Sequence, residues 1–358
     1  MHMADALLAP AVAATMYVAS GVTAGASIKV LRKDETPAKL PTMAVASALV
    51  FAGQMINYTI PGTGSSGHLC GGMLLSALLG PQAGFLSMVV ILTIQCLFFA
   101  DGGLLALGAN CWNMAFYGCF VGYYLLWRPI MRGKLFGNMG SRAAGRIKII
   151  LASVLGCILT LQLGAFSVVL ETSLSGVTEL PFGAFVGIMQ PIHLAIGLVE
   201  GLITSAVLLF VYETRPELVM DANAGKDGAG NKCSLKTTLV VLAVAVAVVG
   251  GGLSLLASSN PDGLEGSMFG NAEAGYSQNM GLDEESYGVS SKAADTAGAI
   301  QEKTAFLPDY AFADSDSAAG TSVSGLVGSA IVAGVAVLIC VAGGFFRKKK
   351  TAAKPQNV

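Results

Sequence analysis

The sequence predicts an all-α, polytopic membrane protein, and three observations carry that prediction. Hydrophobic residues make up 54% and charged residues only 12% of the 358-residue chain, and the mean hydropathy is +0.67; a soluble domain carries about twice that charged fraction. Apolar runs recur that approach the roughly 20 residues a bilayer-spanning helix needs, whereas a β-barrel would show short alternating segments. Lysine and arginine cluster between the runs in a pattern that a single membrane orientation accounts for. The 45 glycines suit helices packed closely in lipid, where small residues let backbones approach.

Nine runs are candidate spans: 10–28, 42–59, 68–80, 82–100, 109–127, 148–170, 184–212, 237–256 and 325–346. The third is short, as expected of a helix that stops at a site inside the membrane. Lys29, Arg32, Lys33 and Lys39 follow the first run, and Arg128, Arg132, Lys134, Arg142, Arg146 and Lys148 follow the fifth. Lys232 and Lys236 precede the eighth, and Arg347, Lys348, Lys349 and Lys350 follow the ninth. Placing all four clusters on the cytoplasmic side is consistent with nine crossings of the cell (inner, cytoplasmic) membrane, an external amino terminus and a cytoplasmic carboxyl terminus. No basic stretch precedes the first run, so no cleavable signal peptide is expected.

By composition the chain divides into a transmembrane core at 1–212 and a polar cytoplasmic linker at 213–236. A two-span unit at 237–346 follows, enclosing an external loop at 257–324, and a basic tail occupies 347–358. The loop holds eleven Asp and Glu residues against Lys292 and Lys303. Such a segment is expected to be partly disordered, serving either as a solvated spacer or as an acidic antenna that concentrates cations at the outer face. Six of the seven cysteines lie in apolar runs without paired metal spacing and are expected to be small buried hydrophobes. Nothing in the chain points to a nucleic-acid partner; the lipid bilayer is the environment its composition demands.

The chemistry concentrates between Pro61 and Asn113, around a glycine-rich entry that carries His68. Only two other histidines exist, His2 and His193. A free α-amine, the ionised amide nitrogen that follows it and the His2 imidazole can close adjacent chelate rings around one ion. His68 would complete four nitrogens in a plane, a geometry suited to Ni(II), tetragonal Cu(II) and Co(II). Topology permits the meeting, because the 61–67 loop and residue 2 fall on the same face. Gly62, Gly64, Gly67, Gly71 and Gly72 leave room for another backbone to approach His68. Asp101, Asn110 and Asn113 are candidates to hold the amino-terminal segment or to orient His68 from behind the ligands. His193 and Glu200, seven residues apart on one helical face, are expected to form a mutual hydrogen-bond network or a contact between helices. No G-x-x-x-x-G-K-[ST] and no H-E-x-x-H occurs, so no ATP site is expected in this chain.

Four blocks, in order, resemble the CbiM/NikM family, the cobalt/nickel substrate-binding membrane components of energy-coupling-factor ABC transporters. They are Met1-His2-Met3 with the following Ala4–Leu8, GTGSSGHLCGG at 62–72, LFFADGGLLALGANCWNMA at 97–115 and HLAIGLVEGLIT at 193–204. Asn260–Glu265 further resembles the PDGLE signature of the family's small accessory component, here fused to the carboxyl end. The resemblance implies a seven-helix core and a Ni2+ or Co2+ substrate held by the Met1 amine, the His2 amide nitrogen and imidazole, and the His68 imidazole. It also implies a transmembrane coupling (T) protein and a pair of cytoplasmic ABC ATPases as partners. The chain departs from the common pattern after Met-His, where it has Met3-Ala4-Asp5, and this leaves nickel versus cobalt open. A rival of another class is a rhomboid-like intramembrane serine protease, with Gly64-Ser65-Ser66-Gly67 as the nucleophile entry and His193 as base to Ser66.

Overall fold

The computed structural model describes residues 1–34, 36, 39–134, 141–177, 179–222, 233–272, 275, 280, 282, 287–312 and 319–345. Each predicted apolar run contains a helix. The helices are α1 (Pro10–Leu31), α2 (Lys39–Gln54), α3 (Gly72–Leu79), α4 (Pro81–Phe99), α5, α6 (Ser141–Leu174), α7 (Phe182–Thr214), α8 (Leu235–Gly251), the loop helices α9 (Gly263–Phe269) and α10 (Lys292–Thr304), and α11 (Ala319–Gly343). Helix α5 is composite: Leu107–Asn110, a wide stretch Cys111–Trp127 with i→i+5 bonding, and Arg128–Arg132. Among the described residues, six helices, α1, α4, α6, α7, α8 and α11, are long and apolar enough to cross a membrane. The expected seven-helix core therefore contains four such helices, and its other three segments differ in kind: α2 has 16 residues, α3 has eight, and α5 is irregular.

Helix α3 is short for a local reason. Gly71 and Gly80, at its two ends, take positive φ values of 88° and 85°, a region open to glycine, and Pro81 then opens α4. The predicted run began at His68, but residues 68–71 are not helical. Their backbone is diverted by the Glu200 carboxylate of α7, which accepts from Cys70 N (2.9 Å) and Gly71 N (2.9 Å). In lipid, irregular backbone survives where protein satisfies its polar groups, and here one carboxylate satisfies two. The only strands among the described residues are Tyr58–Thr59 and Ser66–Gly67, a two-residue antiparallel ladder that ties the glycine-rich entry to the end of α2.

Glycines set the closest helix approaches. A Cβ at Gly197 would lie 2.8 Å from Ile158 Cα and one at Gly201 2.6 Å from Val154 Cα, so α7 lies directly on the backbone of α6. Gly118 of α5 packs against Gly72 of α3, whereas Gly21 and Gly25 on α1 face open space. The carboxyl-terminal pair α8 and α11 crosses at Gly250 and Gly325 and rests on α2, with Phe51 filling the gap left by Gly328. All seven cysteines are free, and all but Cys233 are buried.

The external loop is more ordered than its composition suggests, since α9 and α10 lie within it. Six of its acidic residues, Glu273, Asp283, Glu284, Glu285, Asp314 and Asp316, lie outside the described residues, as do residues 223–232 of the linker and the basic tail. The α6–α7 contact generates a prediction. Gly201→Val should lower stability by about 1–3 kcal/mol through overpacking, read as a lower unfolding temperature in detergent. Gly187→Ala on the same helix, which meets open space, should leave that temperature unchanged or raise it.

Candidate metal centre

The first residues of the chain are fixed by backbone hydrogen bonds rather than left to fray. Met3 N donates to Asn110 Oδ1 (2.7 Å), Asn110 Nδ2 donates to Met3 O (3.2 Å), and Gly103 N donates to the same carbonyl (2.9 Å). The side chains of Met1 and Met3 are buried, Met1 Cε lying beside Gly164 of α6. Asp5, to which the sequence pattern assigned no role, accepts from Ala106 N (3.0 Å) and packs over Gly103, where a Cβ would overlap it. Residues 1–5 are thus threaded between the 100–110 segment and α6.

This threading brings Met1, His2 and His68 together at a cavity of about 810 Å3, which His2, His68, Asp101, Asp262 and Glu265 help to line. The His2 and His68 rings are nearly parallel, 17° apart in plane, with centroids separated by 5.4 Å. Each donor is committed in a specific way. The α-amine is ion-paired with Asp262 Oδ2. His2 Nδ1, the imidazole atom that would close a six-membered chelate with the amide nitrogen, lies 3.0 Å from Asp101 Oδ1, and its Nε2 is buried without a partner. His68 Nδ1 is 3.0 Å from Leu69 O, which leaves Nε2 as the free donor. The four-nitrogen plane is therefore not closed; its members are gathered at one vestibule, and two of them rest on carboxylates. Among the described residues no three His, Cys, Asp or Glu side chains converge on a metal-sized point, so a site here needs the chain terminus as well as side chains.

Electrostatics prepare these groups. Burial lowers the His2 pKa against the opposing charge of Asp101. Burial, then the nearby ammonium and His2, push His68 down to about 4. Both shifts favour the neutral imidazole, the form that donates to a metal. Burial alone would raise the Asp262 carboxyl, but the ammonium beside it outweighs burial and holds it well below the usual carboxylate range.

The remaining predicted residues divide. Asp101 holds His2 and in turn accepts from Tyr310 OH (2.5 Å) of the external loop, and Asn110 holds the Met3 backbone. Asn113 donates to Glu171 Oε2 (2.9 Å) and lies 3.5 Å from Met3 Sδ. These three secure the amino-terminal segment and make no hydrogen bond to His68. His193 and Glu200 do not bond each other: His193 Nδ1 meets Met189 O (2.8 Å) while Glu200 serves the 70–71 backbone. His193 Nε2 is buried without a partner, beside an enclosed space of about 10 Å3 that Met1, His68 and Cys70 also line. The protease dyad is not formed, because Ser66 Oγ donates to the carbonyls of Asn260 (2.8 Å) and Pro261 (3.2 Å). Glu171, Tyr310 and Asp262 were not singled out from the sequence as site residues; only Asp262 carried a signal, inside the PDGLE signature.

A chain of Archaeoglobus fulgidus, provisionally named fused nickel transport protein NikMN, is 36% identical over 93% of this chain and 95% of its own length. The cobalt transport protein CbiM of Sorangium cellulosum is 30% identical over 50% of this chain and 76% of its own. A solved crystal structure of a truncated transition metal transporter, 30% identical, covers 60% of this chain and 99% of its own with a TM-score of 0.49. Residues 236–343 match the PDGLE domain. Residues 2–218 match the cobalt uptake substrate-specific transmembrane region, and the chain belongs to that family, CbiM.

Proposed function

We propose that this protein is the high-affinity substrate-binding membrane subunit of an energy-coupling-factor importer for nickel or cobalt ions. The ion is held by the Met1 amine, the His2 amide nitrogen and imidazole, and His68 Nε2. The observation that carries the reading is the gathering of His2, His68 and, through its ion pair with Asp262, the Met1 amine at one vestibule, with the terminus pinned by Asn110. The protein is a multi-pass membrane transporter component rather than an enzyme; its relatives bear the names of nickel and cobalt transport proteins, and no protease dyad competes. In this reading residues 1–212 form the metal-binding core, 213–236 the linker and 237–346 the accessory unit. The vestibule faces outward, and a coupling protein with paired cytoplasmic ATPases supplies the energy.

Binding is tested by isothermal titration of Ni2+ and Co2+ into protein with a native amino terminus and a carboxyl-terminal tag. His2→Ala and His68→Ala should each abolish high-affinity binding while the protein still inserts and folds. One residue added before Met1 should do the same, because the amine moves away; an extended protein that binds as before refutes terminal ligation.

A second expectation concerns pH. Every donor must be unprotonated to bind the ion, so affinity falls on acidification. The lowered imidazole pKa values place the histidine part of the loss below pH 6.5, extending toward the value of about 4 reached by His68. Titrations between pH 8 and pH 5 check this, and a flat affinity across that range contradicts ligation by these nitrogens.

A further inference from the structure

The PDGLE segment of the fused unit is docked onto the metal-site loop by main-chain bonds. Ser66 N donates to Pro261 O (2.7 Å), and Asn271 Nδ2 donates to Gly64 O (2.9 Å). The turn lies so close that a Cβ at Gly266 would come within 2.1 Å of Ser65 Oγ, and one at Gly263 within 3.1 Å of His193 Cε1. Asp262 is the amino-terminal cap of α9, and its two oxygens have separate partners. Oδ1 accepts from Leu264 N (2.7 Å) and Glu265 N (2.9 Å), while Oδ2 faces the α-amine of Met1. The neighbouring acid, Glu265, is turned back to the Asp262 amide in a capping box and makes no equivalent contact with the amine.

Resting on the amine-ligation reading above, we infer that Asp262 is a residue of the metal site, delivered to it by the fused carboxyl-terminal unit. Before loading, its Oδ2 holds the α-amine at the vestibule through the ion pair. When the amine turns to the divalent ion, the carboxylate stays where the α9 cap fixes it. There it is a negative charge within a few ångströms of a doubly positive one, in a partly desolvated place where such attraction is strong. The unit thus contributes charge to the core's site as well as packing against it. A purely structural role for Asp262 makes a different forecast, because asparagine caps a helix as well as aspartate does. Asp262→Asn therefore keeps the cap and removes only the charge.

Two measurements on the full-length chain with a native amino terminus decide the matter. In the metal-free wild type, a zero-length carbodiimide cross-linker should join the Met1 amine to the Asp262 carboxylate, seen by mass spectrometry as a residue 1–262 linkage. Saturating Ni2+ or Co2+ should suppress it. Folded Asp262→Asn protein should bind Ni2+ and Co2+ at least tenfold more weakly than wild type. Absence of the 1–262 linkage in folded wild-type protein overturns the inference without touching amine ligation, and so does wild-type affinity in Asp262→Asn. A linkage that persists under saturating metal refutes amine ligation itself, so the two failures are told apart. Should Asp262→Asn not fold, the wild-type cross-link and its suppression by metal still uphold or overturn the inference.

Discussion

The structure depends on holding the first nitrogen of the polypeptide in one place. Chain termini ordinarily fray, and ordering each residue costs about 1–2 kcal/mol of backbone entropy. Here Met1 and Met3 are buried, and burying a methionine side chain returns about 1.5–3 kcal/mol. Three hydrogen bonds to the Met3 backbone add about 0.5–1.5 kcal/mol each. These gains are of the same order as the backbone and side-chain entropy lost in ordering three residues, so packing and hydrogen bonding together offset that cost and hold the amine in place. Gly102, Gly103 and Gly164 make the threading possible, since a Cβ at any of them would meet the amino-terminal segment or its anchors.

A terminus placed this way brings a charge into a poorly solvated region, and the surroundings are built around that charge. Leaving a buried ammonium without a partner would cost about 3–5 kcal/mol; Asp262 supplies the partner. Asp101 supplies the corresponding acceptor for His2 and is itself fixed by Tyr310. Asp262 and Tyr310 both come from the external loop of the carboxyl-terminal unit. That unit also reaches the 100–110 segment through Gln301, whose Nε2 donates to Gly102 O (2.8 Å), and the amino-terminal segment through Val289 N, which donates to Ala6 O (2.7 Å). The loop is a cover built over the entry, which its acidic composition alone does not reveal.

That difference shows what the sequence could convey. Helical runs were legible because length and apolarity act locally, and the break around α3 was foreshadowed by Gly80-Pro81 and by the glycines before it. The convergence of His2 and His68 followed from topology and from the rarity of histidine. Pairing of individual polar groups was not legible, because partners lie far apart in sequence: Met1 with Asp262, Asn113 with Glu171, Cys70 and Gly71 with Glu200. Spacing put His193 and Glu200 on one helical face, yet a shared face does not assign partners. Glu200 serves two backbone N–H groups left bare where α3 fails to start, and a deficit created by another segment cannot be read from the helix that meets it.

The carboxylates also bear on why a cation could enter such a site without a large electrostatic penalty. In the structure the amine carries one positive charge and the Asp101 and Asp262 carboxylates carry two negative charges, a balance of −1. Under the proposed ligation the amine gives up its added proton, the His2 amide nitrogen gives up another, and a doubly charged ion takes their place. Two protons leave, two charges arrive, and the balance stays at −1. A site that keeps its net charge on loading is spared the self-energy of acquiring an unbalanced charge in a low-dielectric place, and the carboxylates that stabilised the ammonium are already positioned to stabilise the ion. The ion pair with Asp262 is therefore no obstacle to loading: the same negative charge serves proton and metal in turn, and it attracts the doubly charged ion more strongly than the singly charged ammonium.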